Sequence, residues 1–321
     1  MQSFELLSQK FALHFEHRHF PETPASLYDP NEYFLKLGGK RIRPVLCLMG
    51  NELVDEIKPD AWHVASAIEL FHNFTLIHDD IMDKAPLRRG METVHVKYGE
   101  NTALLAGDVM LVAAYDQISK IEASLLHPIL RLFNQTAKEV CEGQQIDMDF
   151  EKNETVRLDE YLQMIDLKTS VLLAASLKMG AILGGAGQRN QDLIYQFGKK
   201  LGIAFQVQDD YLDAFGDPQK FGKQVGGDII ANKKTFLQIH ALEVASNTQK
   251  EKLKQLLNGN GPGKVNEVLQ VYRECKADEL TLQLKNKFLD EALAHLEDIA
   301  VLSKRKEPLK ELAHFLVKRD Y

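Results

Sequence analysis

The fold class is decided by residues 64–83, which read VASAIELFHNFTLIHDDIMD. Its apolar side chains recur three or four positions apart, at Val64, Ala67, Ile68, Phe71 and Phe74. This is the period of a helix that buries one face, and it differs from the two-residue alternation of a strand. The same spacing returns along most of the chain, so the sequence predicts an all-α protein.

Glycine- and proline-rich breaks divide the chain into about ten predicted helical segments. They fall at residues 21–30, 38–39, 59–60, 86–90, 184–187, 216–227 and 259–263. Two segments, residues 103–115 and 171–183, are apolar around almost their whole circumference, which favours the interior of a large bundle. With 45% hydrophobic residues and no serine- or proline-rich linker, the sequence predicts a single domain over residues 1–321.

Composition also restricts the partners and the compartment. A net charge of -7 disfavours nucleic acid, because neutralising phosphates requires a basic face. Three cysteines without metal-site spacing indicate a reducing compartment. Neither an export signal nor a transmembrane segment is evident, so we expect a cytoplasmic protein.

One acidic pattern, Asp-Asp-x-x-Asp, occurs twice, at residues 79–83 and 209–213. On a helix Asp79 and Asp83 differ by only about 40° around the axis, with Asp80 about 100° to one side. Like charges at this spacing repel, so such a cluster is expected to have raised carboxylate pKa values or to hold cations. A single copy is equally compatible with a solvated helix end. Two copies favour Mg²⁺ ions that would clamp a diphosphate.

Basic residues accompany both acidic motifs. They are Lys40 and Arg43 after a diglycine, Arg88 and Arg89 after the first motif, and Lys223, Lys233 and Lys234 after the second. Taken singly, each cluster is compatible with a solvated turn. Beside carboxylate clusters, lysine ammonium groups and the planar fork of arginine match the oxygens of a diphosphate.

Three polar residues interrupt apolar helices between and before these motifs: Lys168, Thr169 and Gln206. Polar groups in such positions often bond only to the local backbone. The alternative is that they line a water-poor pocket and stabilise developing positive charge without attacking it.

In order along the chain, the motifs are Gly39-Lys40-Arg41-x-Arg43-Pro44, His78-Asp79-Asp80-Ile81-Met82-Asp83, Arg88-Arg89-Gly90, Gly143-Gln144-x-x-Asp147, Lys168-Thr169 and Phe205-Gln206-x-x-Asp209-Asp210-x-x-Asp213. Together they resemble the trans-isoprenyl diphosphate synthase (polyprenyl synthetase) family. The resemblance implies an isoprenoid synthase bundle of helices around a deep central cavity, and a homodimer. It also implies Mg²⁺-dependent condensation of isopentenyl diphosphate with an allylic diphosphate, namely dimethylallyl, geranyl or farnesyl diphosphate.

The resemblance also implies roles for individual residues. Metal ligands, directly or through water, are Asp79, Asp80, Asp83, Asp209, Asp210 and Asp213, which would hold three Mg²⁺ ions. The residues expected to bind isopentenyl diphosphate are Lys40, Arg43, His72 and Arg89. Those expected to bind the allylic diphosphate are Arg88, Lys168, Lys223 and Lys233, while Thr169 and Gln206 would line the site of the allylic cation.

Product length is expected to depend on residues one and two turns before the first motif, Phe71, Phe74 and Thr75. In its aromatic residue at position 74 the sequence resembles the family members that make the C20 product geranylgeranyl diphosphate. A C15 product is the next expectation. Two alternatives remain open: a class I terpene cyclase and a non-catalytic regulatory subunit of a prenyltransferase. The second complete acidic motif disfavours both.

Overall fold

The computed structural model describes residues 1–217, 225–259, 261 and 263–318. In this part of the chain the structure is helical almost throughout, which confirms the all-α prediction. The chain divides into two compact units, Met1–Phe133 with Ser176–Gln191, and Asn134–Ala175 with Asp192–Tyr321. A single domain over residues 1–321 remains a prediction.

The elements follow one another along the chain. The first are α1 (Phe4–Phe15), α2 (Ala25–Lys36), α3 (Ile42–Val54), α4 (Pro59–Met82), β1 (Leu87–Arg88), β2 (Met91–Glu92), α5 (Val94–Tyr98) and α6 (Glu100–Ile118). Next come α7 (Ala123–Lys152), α8 (Leu158–Ile165), a π-helical turn (Asp166–Ser170), α9 (Val171–Leu183) and α10 (Gln188–Phe215). The last are α11 (Gly227–Ile230), α12 (Phe236–Val244), α13 (Asn247–Asn258), α14 (Lys264–Glu274), α15 (Ala277–Glu297) and α16 (Ser303–Lys318).

Two predicted breaks were misplaced. The helix α2 begins at Ala25 and contains Pro30, at the cost of one helical hydrogen bond. Pro59 is the first residue of α4, where a proline fits because the backbone N–H that it lacks would have no helical partner. The described residues form sixteen α-helices, six of them after residue 226, where about ten segments were predicted for the whole chain.

The helix α4 is the centre of the first unit. It packs mainly against α6 and α3, and most residues of its first four turns are buried. Glycines bring α3 against the C-terminal half of α9: Gly50 faces the backbone of Leu177, and Gly180 faces the carbonyl of Cys47. This packing fixes the helix whose last turn carries the first acidic motif.

The two segments predicted to be interior differ in the structure. The helix α9 is buried along nearly its whole length, as expected. The helix α6 buries small residues against α4, but its outer face exposes Leu104, Leu105, Val112 and Tyr115, with Leu105 at 56% and Val112 at 59%. The prediction of an interior position for residues 103–115 is therefore wrong for the outer side of this helix within a single chain.

A short hairpin follows α4. The strands β1 and β2 pair with Leu87 opposite Glu92 and Arg88 opposite Met91. Arg89 and Gly90 form the two-residue turn, both with positive φ, 55° and 78°, as a hairpin turn that follows the twist of the strands requires. The hairpin brings Arg88 back towards the end of α4. Among the described residues, no helix is both long and apolar enough to span a membrane.

Candidate active site

The first acidic motif lies at the C-terminal end of α4. This end of a helix carries a partial negative charge, so carboxylates placed there are destabilised unless cations offset them. Asp83 closes the helix through a hydrogen bond from its backbone N–H to the carbonyl of Asp79, at 2.8 Å. Asp83 is exposed, whereas Asp80 is only 1% exposed.

Asp80 and Arg88 form an ion pair. The Arg88 guanidinium donates from Nε and Nη2 to both oxygens of the Asp80 carboxylate, at 2.7 to 2.9 Å. Two parallel charge-assisted bonds stabilise a buried carboxylate better than a single contact does. The structure therefore joins a predicted metal-site aspartate to a predicted diphosphate-binding arginine.

A second cationic group forms around His72. Arg43 lies with Nη1 3.2 Å from His72 Nε2. Burial, and then the charges of Arg43 and Arg89, lower the pKa of His72 well below its usual value, so the ring is neutral and accepts through Nε2. Burial also lowers the pKa of Arg43 to about 10, which leaves it charged at neutral pH. Of the four residues predicted for isopentenyl diphosphate, three come together here.

Gly39 explains how Arg89 reaches this group. A Cβ at Gly39 would lie 2.7 Å from Nη2 of Arg89, closer than van der Waals contact permits, and the residue has φ +143°. The positive φ favours glycine, and the missing side chain lets the guanidinium lie against this backbone. Lys40, the fourth predicted residue, is exposed on the same segment.

The sequence interpretation assigned no role to the neighbouring Arg41. Its guanidinium pairs with Glu69, which is 3% exposed, and Nη2 donates to the carbonyl of Leu35 at 2.9 Å. Asn73 donates to the same Glu69 carboxylate at 2.7 Å. These bonds fix the turn between the diglycine and α3. Glu69 lies 28 residues from Arg41 along the chain, so no local pattern in the sequence indicated the pair.

The predicted chain-length residues lie in an aromatic group of the first unit. Phe71 is 1% exposed and packs edge-on against Phe133 on α7, with ring centroids 5.2 Å apart. Phe74, which is partly exposed, lies 5.7 Å from Phe71. The Thr75 hydroxyl donates to the carbonyl of His72 at 2.8 Å. Tyr115 on α6 completes the group at 5.3 Å from Phe133; neither of these two was predicted.

The second acidic motif lies in the last turns of α10. Asp210 is 6% exposed and accepts two hydrogen bonds, from Gln206 Nε2 at 2.9 Å and from the Tyr161 hydroxyl at 2.6 Å. Burial, and then the nearby Asp228 carboxylate, raise the pKa of Asp210. Asp213 accepts from the backbone N–H of Asp228 at 2.9 Å. In both motifs, therefore, the second aspartate is the buried one.

Lys168 and Thr169 sit on the π-helical turn, a widened turn that often occurs at functional sites. The space for it comes from glycines in the two neighbouring helices. Gly143 on α7 faces the backbone of Lys168, and Gly202 on α10 faces Ser170. The turn is therefore held between two close backbone contacts.

Hydrogen bonds fix the side chains of Lys168 and Thr169. Lys168 Nζ donates to Asp147 Oδ2 at 2.5 Å. The Thr169 hydroxyl donates to Gln206 Oε1 at 3.1 Å. The predicted pair and the predicted amide are thus neighbours within the second unit.

A pocket of about 160 Å³ gathers these groups. Its lining is mostly polar and comprises Asp147, Tyr161, Met164, Ile165, Lys168, Thr169, Gln206, Asp210, Asp228, Lys233, Lys234 and Thr235. Lys233 is exposed and lies 4.0 Å from Asp228. Lys223 lies outside the described residues.

Sequence reasoning gave no role to Asp147, Tyr161 or Asp228, and named Lys234 only as one of the basic residues after the second motif. Asp147, Asp228 and Lys234 lie in or beside segments that it singled out. Tyr161 is the exception, because it reaches Asp210 from 49 residues away. Lys234 also differs from the other pocket lysines. Burial lowers its pKa, and in the part of the chain that the structure describes no carboxylate pairs with its ammonium group.

The donor atoms of both motifs suit a hard divalent cation, because all are carboxylate oxygens at the negative ends of helices. Within the described residues, no three His, Cys, Asp or Glu side chains already form a cage around one ion. Mg²⁺ does not require such a cage, because it takes one or two carboxylates and completes its shell with water and substrate phosphates. The residues present therefore fit Mg²⁺ held jointly with a diphosphate.

Known proteins are similar to this chain in sequence and in fold. Residues 24–275 match the family described as Polyprenyl synthetase. The chain belongs to the polyprenyl synthetase family. A short chain isoprenyl diphosphate synthase of Methanothermobacter thermautotrophicus is 38% identical over 93% of this chain and 92% of its own. A geranylgeranyl diphosphate synthase of Methanosarcina mazei is 37% identical over 93% and 91%.

Solved structures agree with this assignment. A crystal structure of a geranylgeranyl pyrophosphate synthase superposes with a TM-score of 0.94 at 42% identity, covering 99% of each chain. The protein is thus a trans-prenyltransferase with the all-α isoprenoid synthase fold, and the family expected from the motifs is confirmed.

Proposed function

We propose that this polyprenyl synthetase joins isopentenyl diphosphate head to tail, 1′-4, to dimethylallyl, geranyl and farnesyl diphosphates and ends at the C20 product. The observation that carries the proposal is the pocket around the π-helical turn. Its described lining combines lysine ammonium groups and carboxylates with the Thr169 hydroxyl and the Gln206 amide oxygen, and contains no cysteine. Such a lining suits a reaction that ionises a diphosphate ester.

Isopentenyl diphosphate would be held in the first unit. Arg43 and Arg89 supply positive charge, with Lys40 on the adjoining segment. The neutral ring of His72 accepts from Arg43 and so aims the guanidinium. Gly39 leaves space for Arg89, and the N–H donors of both arginines that are not used within the protein would bind phosphate oxygens.

The allylic diphosphate would be bound by Lys168 and Lys233 of the pocket, by Lys223, and by Arg88. Asp79, Asp83, Asp209 and Asp213 would hold Mg²⁺. When bound, Mg²⁺ supplies positive charge that stabilises the departing diphosphate. Asp80 and Asp210 are bonded within the protein and would act by orienting their neighbours.

Once the allylic C–O bond ionises, the positive charge on the hydrocarbon needs a negative dipole. The Thr169 oxygen and the Gln206 amide oxygen supply it in the pocket. The double bond of isopentenyl diphosphate attacks C1 of the cation, and the released diphosphate takes the final proton. None of these steps requires a nucleophilic side chain.

Product length would be limited by the aromatic group on α4. Phe74 is the partly exposed ring, and behind it Phe71 is locked against Phe133. Removing the Phe74 ring should open space without disturbing the buried pair. A C20 product agrees with the names of the relatives, two of which are geranylgeranyl synthases.

The test is mass spectrometry of the products formed by purified protein, isopentenyl diphosphate and each allylic starter, with Mg²⁺ or with a chelator. We expect a C20 product that requires Mg²⁺. Phe74→Ala should yield longer products. Phe315→Ala, which removes a half-exposed ring on α16, should leave the length unchanged.

Absence of condensation with every starter would refute the synthase proposal and favour a cyclase or a regulatory subunit. A C15 product, or an unchanged product from Phe74→Ala, would refute only the assignment of chain length. Activity in the presence of the chelator would refute the metal requirement.

We further propose a cytoplasmic homodimer. The outer face of α6 leaves Leu104, Leu105, Val112 and Tyr115 exposed in the single chain, and a second copy of the same face is the partner that closes such a patch symmetrically. The cytoplasmic location stays a prediction from the cysteine content.

A further inference from the structure

Tyr161 is buried in the second unit, and its hydroxyl is bonded to another helix. The side chain, on α8, is 1% exposed. Its hydroxyl donates to Asp210 Oδ2 on α10 at 2.6 Å. The hydroxyl is the donor in this bond, since the Asp210 oxygen can only accept from it.

The other oxygen of Asp210 fixes the orientation of an amide. Oδ1 accepts from Gln206 Nε2 at 2.9 Å. Both Asp210 oxygens act as acceptors in the structure, Oδ2 for the Tyr161 hydroxyl and Oδ1 for Gln206, so the NH₂ end of Gln206 faces this carboxyl group. The opposite end, Oε1, is thereby turned to the Thr169 hydroxyl at 3.1 Å, in the lining of the pocket.

The orientation of this amide matters for a cation. An amide oxygen is the negative end of a strong dipole, and the NH₂ group is the positive end. With the oxygen inward the amide stabilises positive charge in the pocket, and with the NH₂ group inward it opposes that charge. The Asp210 carboxylate decides between the two orientations, and Tyr161 holds this carboxylate.

We propose that Tyr161 is a positioning residue, which anchors Asp210 so that the amide oxygen of Gln206 faces the allylic cation. The inference deepens the proposed function and rests on it. It adds a residue outside the family motifs to the machinery, and gives the buried aspartate of the second motif a role that does not depend on touching metal.

A double-mutant cycle on kcat tests this relay. Tyr161→Phe keeps the ring and removes the hydroxyl. We expect kcat to fall about tenfold, as when an orienting hydrogen bond is lost, with KM for geranyl diphosphate changed less than twofold. If Tyr161 acts through the amide, the double variant with Gln206→Leu will be no slower than Gln206→Leu alone.

Tyr272→Phe is the matched control, because Tyr272 is equally buried at 1%. Its small effect should add to that of Gln206→Leu. Additive effects for Tyr161→Phe, or an unchanged kcat, would overturn the relay. Failure of the proposed function is distinguishable, since the wild-type protein would then condense no substrate at all.

A second measurement does not depend on turnover. Gln145 and Asp149 on α7 form an exposed pair with the same four-residue spacing, with Nε2 donating to Oδ1 at 3.0 Å. In NMR of the wild-type protein, the side-chain NH₂ of Gln206 should exchange with water far more slowly than that of Gln145. Equal exchange would overturn the proposal, and this result stands even if Tyr161→Phe fails to fold.

Discussion

At the residue scale, each acidic motif contains one aspartate that solvent hardly reaches. Asp80 and Asp210 occupy the second position of their motifs, about 100° around the helix from the first. That angle turns them towards the protein, where Arg88 binds one, and Gln206 and Tyr161 bind the other. The repeated pattern therefore contains two kinds of carboxylate with different surroundings.

Removing Arg88 should show what the buried carboxylate requires. Arg88→Leu leaves Asp80 without its partner, and we expect the free energy of unfolding to fall by about 2–3 kcal/mol. Urea denaturation measures it. Arg157→Leu is the control, because Arg157 makes two similar bonds to Asp159 with both side chains about 70% exposed. Its loss should be much smaller, because solvent screens an exposed ion pair, and equal losses would contradict the argument.

Lys234 offers a prediction about substrate binding. Its ammonium group lines the pocket without a carboxylate partner among the described residues, so a diphosphate oxygen can take that place. Losing one charge-assisted bond of about 1.5 kcal/mol raises a dissociation constant roughly tenfold. We expect Lys234→Met to raise KM for geranyl diphosphate by about that factor, measured by steady-state kinetics.

The control for Lys234 is close by. Lys254 lines an adjacent pocket with Lys234 but not the pocket of the π-helical turn, so Lys254→Met should leave KM unchanged. A rise in KM for both variants would indicate a general loss of positive charge. An unchanged KM for Lys234→Met would exclude contact with the substrate.

What the sequence could predict at this scale depended on local spacing. The helix angle separates Asp80 from Asp79 and Asp83, and Arg88 was expected near the motif that precedes it. Tyr161 had no such signal, because its partner lies 49 residues along the chain and its neighbours resemble any amphipathic helix. Tertiary contacts of this kind are fixed by packing, which a single sequence does not reveal.

At the element scale, α6 and α9 show how far an apolar pattern can be interpreted. Both are apolar all round, and both were expected in the interior. The helix α9 is buried within the chain, whereas α6 exposes Leu105 and Val112. An apolar pattern predicts that a helix face is buried. It does not predict whether the same chain or a second copy buries that face.

The π-helical turn depends on glycines in its neighbours. A Cβ at Gly143 would overlap the backbone of Lys168, so Gly143→Ala has to push α7 away from the turn. We expect the free energy of unfolding to fall by about 1–2 kcal/mol, although alanine alone favours a helix by about 1 kcal/mol. Thermal or urea unfolding measures it.

Gln145→Ala, two residues further along the same helix and exposed, provides the comparison and should change stability by less than about 0.5 kcal/mol. A Gly143→Ala protein as stable as the wild type would show that the helices separate freely. In that case the close approach would not be what holds Lys168 and Thr169.

At the scale of the whole molecule, the order of the motifs carried more information than any single one. Each motif alone was compatible with a solvated turn, but their succession predicted the family that the comparisons confirm over residues 24–275. Assembly into a dimer could not be predicted from motif order, because it depends on which residues form the surface. The face of α6 that is exposed follows from the packing of its small residues against α4.

The exposed face of α6 predicts how two copies of the chain associate. If two copies bury it against each other, Val112→Glu places a charge where it loses water and finds no partner, which costs several kcal/mol. Light scattering after size exclusion should then give a dimer of twice 36.4 kDa for the wild type and a monomer for Val112→Glu. Leu302→Glu changes a leucine that is 75% exposed outside α6 and should remain dimeric. A wild-type monomer, or a Val112→Glu dimer, would show that α6 is not the interface; dissociation of both variants would mean that added charge alone separates the copies.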